Sequence, residues 1–195
     1  MKEKAKTPKR LFITGIPTSG KSYLAKKLAS EIDGIVVCLD DFRENLVSDS
    51  RYKKWVNFYL DQNESVYLEK TDPDALWQNL VVQSEGLWPV FAEKIHLYRS
   101  EEKPVIFESV NILPHLAHKH LEISGIVLLG ASLKETLARN KKNPRWGDTA
   151  QLQELEARVF FNVERPRYKM EAERYGYPTF ETADAAFKTA LNFLI

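Results

Sequence analysis

The chain has 195 residues, enough for one sizeable domain and hardly enough for two. Hydrophobic residues make up 44% and charged residues 28%, the ordinary balance of a folded globular domain, which excludes disorder as the main state. Twenty-eight Lys and Arg against 27 Asp and Glu leave a net charge of +1, so there is no overall basic field to hold nucleic acid or an anionic membrane. The single cysteine, Cys38, excludes an intrachain disulfide framework and fits a reducing compartment. Apolar runs stop at about five residues, far below the ~20 needed to span a bilayer. No apolar stretch of a secretory signal follows the basic segment 1–10, and the expected location is cytoplasmic.

In chain order, residues 1–9 form a polar tail with Pro8, expected to be flexible. Leu11-Phe12-Ile13-Thr14, ending in Gly15, reads as a buried strand, and residues 22–30 follow with helical spacing. Ile35-Val36-Val37-Cys38-Leu39 reads as a second buried strand. Asp72-Pro73 is a helix start, with Asp as cap and Pro at the first helical position. Leu76, Leu80, Leu87, Phe91, Ile95 and Tyr98 then form one apolar stripe, with Trp77 and Trp88 on a second face. Pro89 is expected to kink or split this helix. Val105-Ile106-Phe107 and Ile126-Val127-Leu128-Leu129 read as strands three and four, and Thr179-Phe180 as a short fifth. A long helical region over about 149–175 carries Leu152, Leu155, Val159 and Val163 on one stripe, with an interruption at Pro166 and a stop at Gly176. Buried strands alternating with helices predict an α/β fold, a parallel sheet of about five strands covered on both faces. A single domain is expected over 1–195.

Gly15-Ile16-Pro17-Thr18-Ser19-Gly20-Lys21-Ser22 fits G-x-x-x-x-G-K-[ST], with a strand before it and a helix after it. Glycines let such a backbone curl so that successive N–H groups point at phosphate oxygens, and the helix N-terminus adds partial positive charge. Lys21 would reach the β- and γ-phosphates, and the Ser22 hydroxyl would ligate Mg²⁺. Switch and motor proteins share such a loop. Against those classes, there is no N-K-x-D, no D-x-x-G after the third strand and no L-S-G-G-Q.

Strand two runs into Asp40-Asp41-Phe42-Arg43. Carboxyl ends of parallel strands face the ligand crevice, so Asp40 or Asp41 should lie near the phosphate loop, where a carboxylate could take a proton from a substrate hydroxyl. Arg43 could hold an anionic substrate group. The structural alternative is Asp41 as the cap of a helix over 42–46. Strand three ends in Glu108, an acid after an apolar run, as in the element that holds Mg²⁺ or its water; the alternative is a strand-end acid paired with a basic neighbour. Asn111 falls in the loop that would face substrate.

Taken together, these motifs resemble the P-loop kinase superfamily, the small kinases around shikimate kinase, gluconate kinase, chloramphenicol phosphotransferase and zeta toxin. The resemblance spans essentially the whole chain in order. It implies a three-layer P-loop fold, ATP and Mg²⁺, and a hydroxyl of a small molecule as phosphoryl acceptor, with an anionic acceptor favoured by Arg43. Asp40-Asp41-Phe42-Arg43 looks like the Asp-Asp-Tyr-Arg of phage polynucleotide 5′-kinase, which implies Asp40 as general base and Arg43, with Asp41 and Asn111 nearby, as substrate ligands. It also makes the helical stretch over about 42–103 a substrate-covering insert. Ser132-Leu133-Lys134-Glu135 is a capping box. Its helix leads into the cation-dense segment over about 139–148, where the resemblance places a lid, Arg139 being the better match for its arginine and Arg145 the second. The solvated charge run is the plain alternative. Position alone puts Thr182 and Ala183, after strand five, beside adenine. The expected nucleotide set is thus Gly15, Pro17, Thr18, Ser19, Gly20, Lys21, Ser22, Arg139, Arg145 and Thr182, with Lys21, Asp40 and Arg139 in catalysis and Ser22 and Glu108 on Mg²⁺.

Two rival readings remain at this level. A polynucleotide 5′-hydroxyl kinase has the Asp-Asp-Phe-Arg run in its favour and the near-neutral charge against it. A non-enzymatic ATP-dependent switch would keep the loop but need no strand-two base. His115, His118 and His120 cluster without a Cys or Glu-x-x-His frame and read as solvated or capping residues rather than zinc ligands. Cys38 reads as packing.

Overall fold

The computed structural model describes residues 9–59 and 61–195; the expected tail lies outside the described residues up to position 8. The strands are β1 (Arg10–Gly15), β2 (Ile35–Cys38), β3 (Val105–Glu108), β4 (Ser124–Leu128) and β5 (Thr179–Phe180). Among the described residues they form one parallel sheet in the order β2-β3-β1-β4-β5. The central strand β1 pairs with β3 and β4 on its two sides, so the loop after Gly15 emerges in the middle of the sheet's carboxyl edge.

Around the sheet run α1 (Lys21–Ile32), α2 (Leu39–Glu44), α3 (Lys53–Val56), α4 (Glu64–Lys70), α5 (Pro73–His96), α6 (Pro114–His120), α7 (Leu133–Lys142), α8 (Ala150–Arg158), α9 (Arg165–Tyr175) and α10 (Ala183–Asn192). Side chains alternate across a strand, so each strand feeds two cores. Leu11, Ile13, Ile106, Ile126 and Leu128 pack with Leu24, Leu28 and Ala186 of α1 and α10. Phe12, Val37, Val105, Phe107 and Val127 pack on the opposite face with Leu87, Phe91, Leu116 and Tyr168 of α5, α6 and α9. This gives three layers: helices, sheet, helices.

Helix α5 runs through Pro89 unbroken, contrary to the expected split. Pro89 and Glu85, the residue whose carbonyl Pro89 leaves without a donor, are both exposed, while Leu87, Trp88 and Phe91 are buried. Packing fixes the inner face, and the freed carbonyl lies on the exposed side. Pro166 behaves differently. It enters the first turn of α9 directly after a π-helical turn, Val159–Glu164, which widens the backbone where the proline ring would otherwise strike the preceding turn. Strand two is one residue shorter than expected. Leu39 already begins α2, Cys38 takes the N-cap position, and Asp40 and Asp41 lie in the helix's first turn rather than Asp41 capping a later helix. Among the described residues, no helix is long and apolar enough to cross a membrane.

Candidate active site

The phosphate loop owes its shape to three left-handed residues: Gly15 (φ 124°), Thr18 (φ 62°) and Gly20 (φ 99°). A Cβ on Gly15 would lie 1.9 Å from the Leu128 carbonyl oxygen, so position 15 admits only glycine. Gly20 is the N-cap of α1, which aims the helix's positive end at the loop. Lys21 is buried, and its Nζ donates to the Gly15 and Ile16 carbonyls at 3.0 and 2.8 Å. Burial lowers its pKa; Asp40 and Glu108 pull it back up, and Arg145 opposes them.

The strand-end acids stand beside this loop. The Ser22 hydroxyl donates to Glu108 Oε1 at 2.8 Å, and Glu108 itself is buried. Hydroxyl and carboxylate oxygens together are a hard donor pair that suits Mg²⁺. Asp40 Oδ1 accepts from the Ser109 hydroxyl at 2.6 Å, leaving Oδ2 for another donor. Ser109 Oγ in turn accepts the Asn111 N–H at 2.9 Å. Arg43 Nη1 lies 4.0 Å from Asp40 Oδ1 and donates to Asn111 Oδ1 at 2.9 Å. The Asn111 amide nitrogen donates to Gln83 Oε1 at 3.2 Å and to Ser84 Oγ at 2.9 Å, both on α5.

A cleft of about 1230 Å³ opens over these groups. Pro17, Thr18, Gly20, Lys21, Ser22, Asp40, Asp41, Arg43, Glu108, Arg139, Arg145 and Thr182 line it together. Gly15 and Ser19 lie buried in the loop itself. Asn111 corrects the expectation of a substrate contact: it is fully buried and does not line the cleft, and its whole side chain is spent on holding Arg43 to α5. Thr182 lines the cleft but uses its hydroxyl as the cap of α10, accepting the Ala185 N–H at 3.1 Å. Cys38, the last residue of β2, is half-buried on the cleft wall, and burial pushes its thiol up to about 12.

The cation-dense segment closes the other side. Arg139, in the last turn of α7, donates to the Thr18 carbonyl at 3.0 Å and pairs with Glu135. Glu135 thereby serves Arg139, while Ser132 still caps the helix by accepting the Glu135 N–H at 3.1 Å. The loop after α7 is tied down by buried Glu156, which accepts the Gly147 N–H at 3.1 Å and the Asn140 amide at 2.6 Å. Arg165 and Arg167 turn away to Glu181 and Asp74. His115 pairs with Glu171 at 2.9 Å.

Sequence reasoning passed over several groups that the fold brings here. Ser109 follows Glu108 directly and orients Asp40. Gln83 and Ser84 are polar residues on the buried stripe of α5, and that mismatch was a readable signal of a buried network. Tyr59, Tyr67 and Trp146 line the cleft as a contiguous aromatic wall, with ring centroids 5.7 to 6.0 Å apart. Glu164, last residue of the π turn, also lines it; burial pushes its carboxyl up to about 7, against the pull of Lys21.

No family model and no curated protein matches the chain. Solved structures do. A Thermus thermophilus protein is 22% identical with a TM-score of 0.55, over 97% of this chain and 100% of its own. A presumed kinase from Chloroflexus aurantiacus is 15% identical with a TM-score of 0.53, again over 97% and 100%. Shikimate kinase from Acinetobacter baumannii, solved with shikimate, is 16% identical with a TM-score of 0.50, over 97% of this chain and 92% of its own. At such identities the likeness concerns the fold alone, the α/β fold that the chain shares with these proteins.

Proposed function

We propose that the protein is an ATP-dependent kinase that moves the γ-phosphoryl group of ATP to a hydroxyl of a small-molecule acceptor. The observation that carries this reading is the meeting of the phosphate loop with Asp40 in one cleft, Glu108 ending β3 beside β1 and Asp40 lying in the first turn of α2, just after β2. A nucleotide switch needs the loop and a metal-binding acid; it has no use for a second carboxylate held in place by its own serine.

In this mechanism the triphosphate lies on residues 15–22, with Lys21 on the β- and γ-phosphates. Ser22 and Glu108 would hold Mg²⁺, which would offset the negative charge of the triphosphate. Ser109 fixes Asp40 Oδ1, so Oδ2 accepts the proton of the acceptor hydroxyl as its oxygen bonds to the γ-phosphorus. The bond from that phosphorus to the bridging oxygen breaks, and ADP leaves. Arg139 and Arg145 stabilise the charge on the transferring group from the far side of the cleft. Arg43, locked to Asn111, orients the acceptor. The acceptor lies under the insert, against Tyr59, Tyr67, Leu76 and Leu80.

The test is incubation with γ-labelled ATP, Mg²⁺ and a small-molecule extract, with a 5′-hydroxyl oligonucleotide in parallel. A labelled small molecule is expected, and Asp40→Asn should lower turnover by about 10²–10⁴ with little change in ATP affinity. Label on the oligonucleotide alone would move the reading to a polynucleotide kinase. ATP binding without any label would refute transfer.

A further inference from the structure

Glu164 is a cleft carboxyl that the proposed reaction does not use. It lines the cleft at the end of the π turn, a device that re-aims side chains and recurs at functional sites. Part of the residue stays exposed, but Oε2 is sealed from solvent and has no hydrogen-bond partner among the described residues. The neighbouring cations are spent elsewhere. Arg165 bonds the Gly130 carbonyl and Glu181, Arg167 bonds Asp74, and Lys21 bonds the carbonyls of Gly15 and Ile16.

Glu164 shares the cleft with Tyr59, Tyr67 and Trp146, and besides Lys21 the groups that feel its charge are the phenols of Tyr59, Tyr67 and Tyr168. Tyr168 is turned to the Val110 carbonyl, and Tyr67 Oη accepts the Asn79 amide at 3.0 Å. Burial, with no countercharge beyond Lys21, pushes the carboxyl up to about 7. A carboxylate in so dry a place destabilises the fold unless a ligand answers it. Aromatic rings in the same cleft attract a cation and do nothing for an anion. An anionic group would be repelled, and a neutral alcohol would leave the charge unbalanced. An ammonium group satisfies both the carboxylate and the rings.

We propose that the acceptor carries a protonated amine as well as its hydroxyl, the ammonium bound by Glu164 against the wall of Tyr59, Tyr67 and Trp146. This deepens the kinase reading and rests on it. Glu164 is a specificity residue: it sets which alcohol enters, while Asp40 acts on the hydroxyl. Arg43 remains on the same cleft, so a zwitterionic amino alcohol fits the pair.

The experiment divides a small-molecule extract on a strong cation exchanger at pH 3. The resin retains amines, zwitterions included, and passes neutral and acidic alcohols. Each fraction is offered with γ-labelled ATP to the wild type and to Glu164→Gln. Label is expected in the retained fraction only. With the labelled acceptor purified, Glu164→Gln should raise its KM by about 10- to 100-fold and leave the KM for ATP within about twofold. Label confined to the flow-through, or an acceptor KM unchanged by Glu164→Gln, overturns the amine and leaves the kinase standing. A rise in the ATP KM alone also overturns it, because Glu164 would then serve only as a countercharge for Lys21. No label in either fraction, with ATP binding measured, refutes the kinase reading and the amine with it.

Discussion

Glu164→Gln should make the protein more stable, and by an amount that depends on pH. The carboxyl sits at about 7 in the fold against an ordinary 4.5, with burial as the leading cause. A carboxyl raised in this way binds its proton more tightly when folded than when unfolded. Its contribution is therefore fully present below the unfolded value and is lost as pH rises through the folded one. At about 1.4 kcal/mol per pH unit, the loss grows to about 1 kcal/mol at pH 5 and about 3 kcal/mol at pH 8. Glutamine keeps the shape and cannot ionise. The variant should then match the wild type near pH 4 to within about 1 kcal/mol, and exceed it at pH 8 by about 3 kcal/mol, or about 6–10 °C in Tm for a domain of this size. Thermal unfolding of both proteins without ligands, at pH 5 and pH 8, reads this directly. A stability gap that does not widen with pH, or a variant less stable at pH 8, would refute the reasoning. The carboxylate would then have a partner, and the acceptor would not be needed to supply one.

Lys21→Ala should abolish labelled product while far-ultraviolet circular dichroism stays unchanged, since the lost ammonium bonds only two loop carbonyls; near-wild-type turnover would remove the loop from the site. Gly15→Ala should cost about 3 kcal/mol or more, because its Cβ would lie 1.9 Å from Leu128 O at a φ of 124°; urea unfolding with an unchanged midpoint would contradict that geometry. Ser109→Ala should lower kcat about tenfold by freeing Asp40 Oδ1, and leave ATP affinity alone. An effect on ATP affinity instead would mark Asp40 as part of the metal site.

The parts of the fold legible in sequence are those where local chemistry and tertiary demand agree. Strands β1, β3 and β4 are apolar runs that the sheet buries on both faces, the edge strand β2 is only half-buried, and Asp72, Asn63, Ser132 and Thr149 each cap the helix that follows them. Pro89 does not split α5 because its cost depends on which face it occupies, and only the packing of Leu87, Trp88 and Phe91 settles that. Gly86 carries no local message at all. Its reason is Trp55, whose ring lies where a Cβ would be, 2.2 Å from the nearest ring atom, and Trp55 is about thirty residues away in the chain. In the site, the loop motif and the strand-end acids could be placed because parallel sheets send such residues to one edge. Asn111 could be placed in the right loop but not facing the right way. Its inward turn follows from Gln83 and Ser84, on a helix that arrives from elsewhere.

That inward turn divides the cleft into two unlike halves. On the side of β2, β3 and α5, Asp40, Ser109, Asn111, Arg43, Gln83 and Ser84 satisfy one another in a continuous hydrogen-bonded chain. Such a network resists deformation, so Asp40, the proposed base, is held before any ligand arrives. On the side of the π turn, Glu164 lacks that support: its Oε2 is buried without a partner among the described residues, and burial pushes the carboxyl up to about 7. Rigid placement is needed where a proton must move over a fraction of an ångström. Discrimination between acceptors is instead greatest where a correct ligand relieves an unmet charge and an incorrect one leaves it buried. In the proposed reaction the two demands are separate, with chemistry on the satisfied wall and choice of acceptor on the unsatisfied one.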